Sequence, residues 1–67
     1  MQEVNKIKGY RVMVGLTQTE IAKKLNMSER TYATKEQNPN KFTINELNQL
    51  EVIFNESGLK ISKADLI

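Results

Sequence analysis

Residues 17–37, which read TQTEIAKKLNMSERTYATKEQ, decide the fold because they predict two short helices separated by a sharp turn. Thr17 and Glu20 have the Thr-x-x-Glu spacing of a capping box, in which each side chain accepts a hydrogen bond from the other residue's backbone N–H. Ser28 is the N-cap of the second predicted helix. Asn26 stands at the reversal between the helices, where the chain needs a residue that tolerates positive φ.

Two helices joined by a turn of this length form a helix-turn-helix. Ala22 lies where the helices cross, and a larger side chain there would push them apart. The second helix, predicted from Glu29 to about Gln37, is too polar to serve only as core. Most of its surface must therefore face something other than the protein interior. The apolar joint between the helices is expected from Ile21, Leu25 and Tyr32.

Further helices flank this unit on both sides. Apolar residues at three- and four-residue steps predict a first helix over about residues 3–14, which Gly15 ends. Thr43 and Glu46 form a second capping box before a fourth helix, and Ser62 precedes a last turn. The fourth helix is expected to bury Ile44, Leu47, Leu50, Ile53 and Phe54. We predict an all-α, compact bundle of about five short helices, with residues 1–67 as one domain.

The composition excludes most chemistry. The 67 residues include no Cys and no His, so zinc fingers, iron–sulfur sites, thiol nucleophiles and imidazole bases are ruled out. The carboxylates Glu20, Glu29 and Glu36 lie in no evident cleft. We therefore expect no enzyme activity, no metal and no cofactor. No apolar run approaches the roughly 20 residues of a membrane span, and no signal peptide is evident, so we expect no membrane association and a cytoplasmic location.

Charge is distributed unevenly along the chain. The net charge is +2 in total, but +3 over residues 1–27, +1 over residues 28–41 and −2 over residues 42–67. This asymmetry favours an anionic partner for the first two thirds of the chain. The charge of only +1 over residues 28–41 argues against tight binding of an anionic partner by a single copy of the chain, and it favours a dimer.

Four stretches together resemble one known family, the Cro and phage-repressor type of helix-turn-helix proteins, also called the xenobiotic-response-element type. They are GLTQTEIAKKL at 15–25, MSERTY at 27–32, KE at 35–36 and FTINEL at 42–47. The resemblance covers roughly residues 4–56. It implies a five-helix bundle that dimerises, binds palindromic operators on double-stranded DNA and regulates transcription, often in bacteria or their phages.

The resemblance also implies which residues contact DNA. Gln18 matches a position that binds a phosphate and braces the second helix of the motif. Arg30 would suit guanine and Glu29 would suit cytosine, because a guanidinium donates to guanine O6 and N7 and a carboxylate accepts from cytosine N4. The full expected DNA-binding set is Gln18, Ser28, Glu29, Arg30, Thr31, Thr34, Asn38, Asn40 and Lys41.

Other residues are assigned structural roles. Arg11 and Glu36 match an ion pair between the first helix and the end of the second motif helix, while Ala22 and Asn26 serve the crossing and the turn. Tyr32 is expected in the core. Lys35 stands where an apolar residue often packs, so its stem should pack there with the ammonium in water.

Two functional classes follow. The first is a sequence-specific, Cro-like transcriptional regulator of phage, prophage or bacterial origin that binds its operator as a homodimer. Surplus apolar residues would supply the dimer surface, namely Ile53, Phe54, Leu59, Ile61, Leu66 and Ile67. The alternative is an antitoxin-like or anti-repressor-like interaction module that keeps the fold without binding DNA.

Overall fold

The computed structural model describes residues 5–66, which fold into four α-helices and two short 3-10 helices. The described residues contain no strand, which agrees with the all-α prediction. The predicted fifth helix is only a 3-10 turn, because four residues are too few to form more than one helical turn. The elements are α1 at Lys6–Met13, α2 at Gln18–Lys24, α3 at Glu29–Gln37, a 3-10 helix at Pro39–Lys41, α4 at Ile44–Glu56 and a 3-10 helix at Lys63–Leu66.

Local capping sets the helix starts. In α2, Thr17 Oγ1 accepts the Glu20 N–H at 3.1 Å and Glu20 Oε1 accepts the Thr17 N–H at 2.8 Å, so the predicted capping box is confirmed. The same reciprocal pair forms between Thr43 and Glu46 at the start of α4. The first helix begins later than predicted, since Asn5 caps it by accepting the Lys8 N–H.

The helix-turn-helix is closed by Asn26, which has φ of +60°. Next to it, the Met27 N–H donates to the Ala22 carbonyl at 2.9 Å. Ala22 is 1% exposed and lies on the buried side of α2 with Ile21. The short turn thus fixes how α3 leaves α2.

The core forms where the four helices meet. Its buried apolar members are Ile7, Ile21, Ala22, Leu25, Tyr32, Phe42, Leu47, Leu50, Ile53, Phe54 and Leu66. Ile44 was predicted to join them but is 63% exposed. At 3.6 residues per turn it lies roughly 110° around α4 from the centre of the buried stripe. The prediction for Ile44 is therefore wrong.

The dimer surface expected near the C-terminus is wrong for three of its six residues. Ile53, Phe54 and Leu66 are between 0% and 9% exposed in one copy of the chain, so they belong to the core. Leu59 and Ile61 are partly buried against that core. The cause is that the segment after α4 folds back over α1 and α4, with the Leu59 N–H bonded to the Phe54 carbonyl at 3.0 Å. Ile67 lies outside the described residues.

Candidate nucleic-acid interface

The two sides of α3 differ sharply. Tyr32 and Glu36, four residues apart, are both buried and attach the helix to the bundle. The opposite side carries the exposed residues Arg30, Thr31 and Thr34, while Glu29 is exposed in the first turn on the same side as Tyr32. The helix begins at Ser28, whose hydroxyl accepts the Thr31 N–H at 3.1 Å and donates to Thr31 Oγ1 at 2.9 Å.

One buried carboxylate joins three elements of the fold. The side chain of Glu36 is 3% exposed. It accepts hydrogen bonds from Arg11 Nε at 2.7 Å, Arg11 Nη2 at 3.3 Å, Gln18 Nε2 at 2.9 Å and the Tyr32 hydroxyl at 2.7 Å. Asn5 Nδ2 donates to the backbone carbonyl of Glu36 at 2.8 Å. We call Glu36, Arg11, Gln18 and Tyr32 the Glu36 cluster; it ties α3 to α1 and α2.

The cluster holds Glu36 in its ionised form. Burial acts to raise the pKa of Glu36, but hydrogen bonds from Arg11, Tyr32 and Gln18 outweigh it, and the pKa is lowered. The hydrogen bond to Glu36 raises the pKa of Arg11. Burial, followed by the bond to Glu36, raises the pKa of Tyr32, so the phenol stays protonated and donates. The carboxylate therefore has the cationic and neutral donors that a buried charge requires.

Gln18 acts in this cluster as a brace between α2 and α3. A side-chain amide nitrogen carries two N–H groups, and the bond to Glu36 uses one of them. Gln18 itself is half-buried.

Six of the nine candidate residues line two shallow grooves. One groove is lined by Arg30, Thr31, Thr34, Lys35 and Lys41; we call it the cationic groove. The other brings Gln18 and Glu29 together beside the turn between α1 and α2. Asn38 and Asn40 lie exposed in the segment after α3, where Asn38 Nδ2 donates to the Thr34 carbonyl at 3.3 Å.

A comparison with protein families decides the class of this motif. A sequence model described as helix-turn-helix matches residues 7–62, which is most of the chain. The chain belongs to the helix-turn-helix family of the Cro and phage-repressor type. No curated protein and no solved structure matches the chain. This family comprises DNA-binding regulators that are generally not enzymes.

In this helix-turn-helix protein, the ammonium of Lys35 is not simply in water as expected. Its Nζ lies 2.8 Å from Oε1 and 2.7 Å from Oε2 of Glu46, and the two side chains are 21% and 19% exposed. Burial acts to raise the pKa of Glu46, but the Lys35 hydrogen bond and the Thr43 N–H outweigh it, and the pKa is lowered. The pair links the end of α3 to the start of α4.

Sequence reasoning missed two members of the Glu36 cluster as partners of that carboxylate. Tyr32 was assigned only to the core, which its burial confirms, but its hydroxyl also donates to Glu36. The signal available in the sequence was the four-residue spacing, which places both side chains on one face of a helix. Nothing local indicated that Gln18 would reach the same carboxylate.

Within residues 5–66, no group of three or more Asp and Glu side chains is placed to hold a metal ion. No helix in this range is long and apolar enough to cross a membrane.

Proposed function

We propose that this helix-turn-helix protein is a sequence-specific transcriptional regulator that inserts α3 into the major groove of an operator. The observation that carries the proposal is the polarity of α3. Buried Tyr32 and Glu36 anchor one side of it, while its first two turns expose hydrogen-bonding side chains on the other. Residues near the start of the second motif helix reach base edges in this mode of binding.

The exposed residues divide into base contacts and backbone contacts. Arg30 suits guanine O6 and N7, and Glu29 suits cytosine N4. Thr34 offers a methyl group to thymine or a hydroxyl to a phosphate. The backbone contacts would come from the remaining candidates, which are the half-buried Gln18 and the exposed Ser28, Thr31, Asn38, Asn40 and Lys41. These contacts position the protein, whereas Arg30 and Glu29 specify the sequence.

A second copy of the chain would complete the DNA-binding unit. Residues 28–41 carry three cations against two carboxylates, which gives one copy little attraction for DNA. The molecule measures 31 × 25 × 22 Å. Two copies on one palindromic site would need their α3 helices about one helical turn of DNA, roughly 34 Å, apart. We propose a homodimer on a palindromic operator, acting by occupancy as a Cro-like regulator of phage or bacterial origin.

The test is selection of bound DNA from a random pool. We expect one enriched sequence with two-fold symmetry. Arg30→Ala should weaken binding to it by about 1–3 kcal/mol and relax one base position per half-site. Lys60→Ala is the matched control. Lys60 is also an exposed cation, but it lies outside the helix-turn-helix, in the segment after α4 that folds back over α1 and α4.

The same experiment separates the proposal from the alternative class. A protein-interaction module without DNA binding would enrich no sequence and would not be retained on heparin or DNA at moderate salt. That result would overturn the proposed function.

A further inference from the structure

The cationic groove contains three cations, of which one is held in an ion pair. Arg30 and Lys41 are exposed, and within residues 5–66 neither forms an ion pair. Lys35 lines the same groove, but both oxygens of Glu46 hold its ammonium. One cation beside the proposed DNA face is thus neutralised inside the protein.

Glu46 is well placed to keep that cation. Its Oε1 also accepts the Thr43 N–H at 2.9 Å, which fixes the carboxylate at the start of α4. A DNA phosphate would offer Lys35 what the carboxylate already offers, namely anionic oxygens. If Lys35 turned to a phosphate, the Glu46 charge would be left uncompensated beside the negatively charged backbone.

We propose that Glu46 is a positioning residue that withholds Lys35 from the DNA backbone and so lowers the sequence-independent part of DNA affinity. This inference rests on the proposed function. Phosphate neutralisation by Lys and Arg supplies the part of binding that ignores sequence, whereas contacts to base edges discriminate. Removal of the Glu46 charge should therefore strengthen binding to every DNA sequence by a similar factor.

Glu46→Gln is the decisive variant. Gln also works at this position of a capping box, so the start of α4 is preserved. Each additional phosphate contact makes log K fall more steeply with log salt by about 0.9. Between 50 and 200 mM salt, the affinity of the variant should fall about 3.5-fold more than that of the unmodified protein.

Glu20→Gln is the matched control. Glu20 occupies the same position in the other capping box, and in the described part of the chain it forms no ion pair with a lysine. Both variants change the net charge by the same amount. The control should leave the salt dependence of DNA binding unchanged, and thermal melts should show whether each variant is folded.

The double variant Lys35→Gln with Glu46→Gln keeps the test decisive even if the single variant does not fold. It removes both charges of the pair, so its salt dependence should equal that of the unmodified protein. A slope lower by about 0.9 would show that Lys35 already contacts a phosphate, and would overturn the inference.

Two other outcomes would also overturn it. If Glu46→Gln and Glu20→Gln show the same salt dependence while the unmodified protein binds its selected site, the inference fails and the proposed function stands. If the unmodified protein binds no DNA, both fail.

Discussion

The Tyr32 hydroxyl is the part of the Glu36 cluster that can be removed with least disturbance. Tyr32→Phe deletes the 2.7 Å hydrogen bond to Glu36 and keeps a ring of the same shape. That ring is fully buried and packs against Phe42 with centroids 5.9 Å apart. The substitution therefore isolates one hydrogen bond to a buried carboxylate.

The size of the loss follows from what Glu36 keeps. A hydrogen bond to a charged group contributes about 1.5–3 kcal/mol. Because Arg11 Nε still donates to the same oxygen at 2.7 Å, the carboxylate is not left without a partner. We therefore expect a loss near the lower end, about 1.5–2 kcal/mol. A chain of this size has a free energy of unfolding of roughly 3–10 kcal/mol, so the effect should be easy to measure.

Urea unfolding at neutral pH is the assay. With a slope of about 1 kcal/mol per molar urea, the midpoint should fall by roughly 1.5–2 M. Tyr10→Phe is the control, because the Tyr10 ring packs on Phe54 but, in the described structure, its hydroxyl makes no hydrogen bond. Equal losses in the two variants would refute the role assigned to the Tyr32 hydroxyl.

The pH dependence provides a second check. The pKa of Glu36 is lowered in the folded state, so its stabilisation is present above the unfolded pKa, about 4.3, and is lost as the pH falls through the lowered value. Loss of the Tyr32 bond raises the folded pKa of Glu36 toward the unfolded one. The difference in stability between Tyr32→Phe and the unmodified protein should thus shrink as the pH falls below about 4.

Three other substitutions test the scaffold. Ala22→Leu should destabilise the protein by about 1–3 kcal/mol through overpacking at the helix crossing, and a normal thermal midpoint would contradict that crossing. Asn26→Ala should cost about 1 kcal/mol because of the positive φ, whereas Asn26→Gly should cost less; equal melting temperatures would show that the turn is not strained. A double-mutant cycle with Arg11→Ala and Glu36→Ala should give a coupling of about 0.5–3 kcal/mol in urea unfolding, and simple additivity would exclude the ion pair as a stabilising contact.

Local chemistry explains which parts of the fold were predictable. The starts of α2, α3 and α4 depend on bonds between residues three apart, such as those of Thr17 with Glu20, so the sequence alone indicates them. The positive φ at Asn26 was also predictable, because a turn this short needs a residue that tolerates positive φ.

Contacts between distant residues explain what was missed. Lys35 and Glu46 are 11 residues apart, and only the packing of α4 after the 3-10 helix brings them together. Leu66, after α4, was expected on a dimer surface but is buried, because nothing in the local pattern shows that this segment folds back over α1 and α4. The Arg11–Glu36 ion pair was expected only from the family resemblance, and its distance of 2.7 Å is a feature of the tertiary structure.

The central claim is that α3 reads DNA bases with Arg30 while the Glu36 cluster holds the helix in place. The most direct measurement is the affinity of the unmodified protein, Arg30→Ala and Lys60→Ala for every single-base change of the selected site. We predict that Arg30→Ala loses discrimination at one guanine per half-site and keeps it elsewhere, and that Lys60→Ala keeps the whole profile. An Arg30→Ala profile that matches the unmodified protein, or that weakens uniformly across all bases, would contradict the claim.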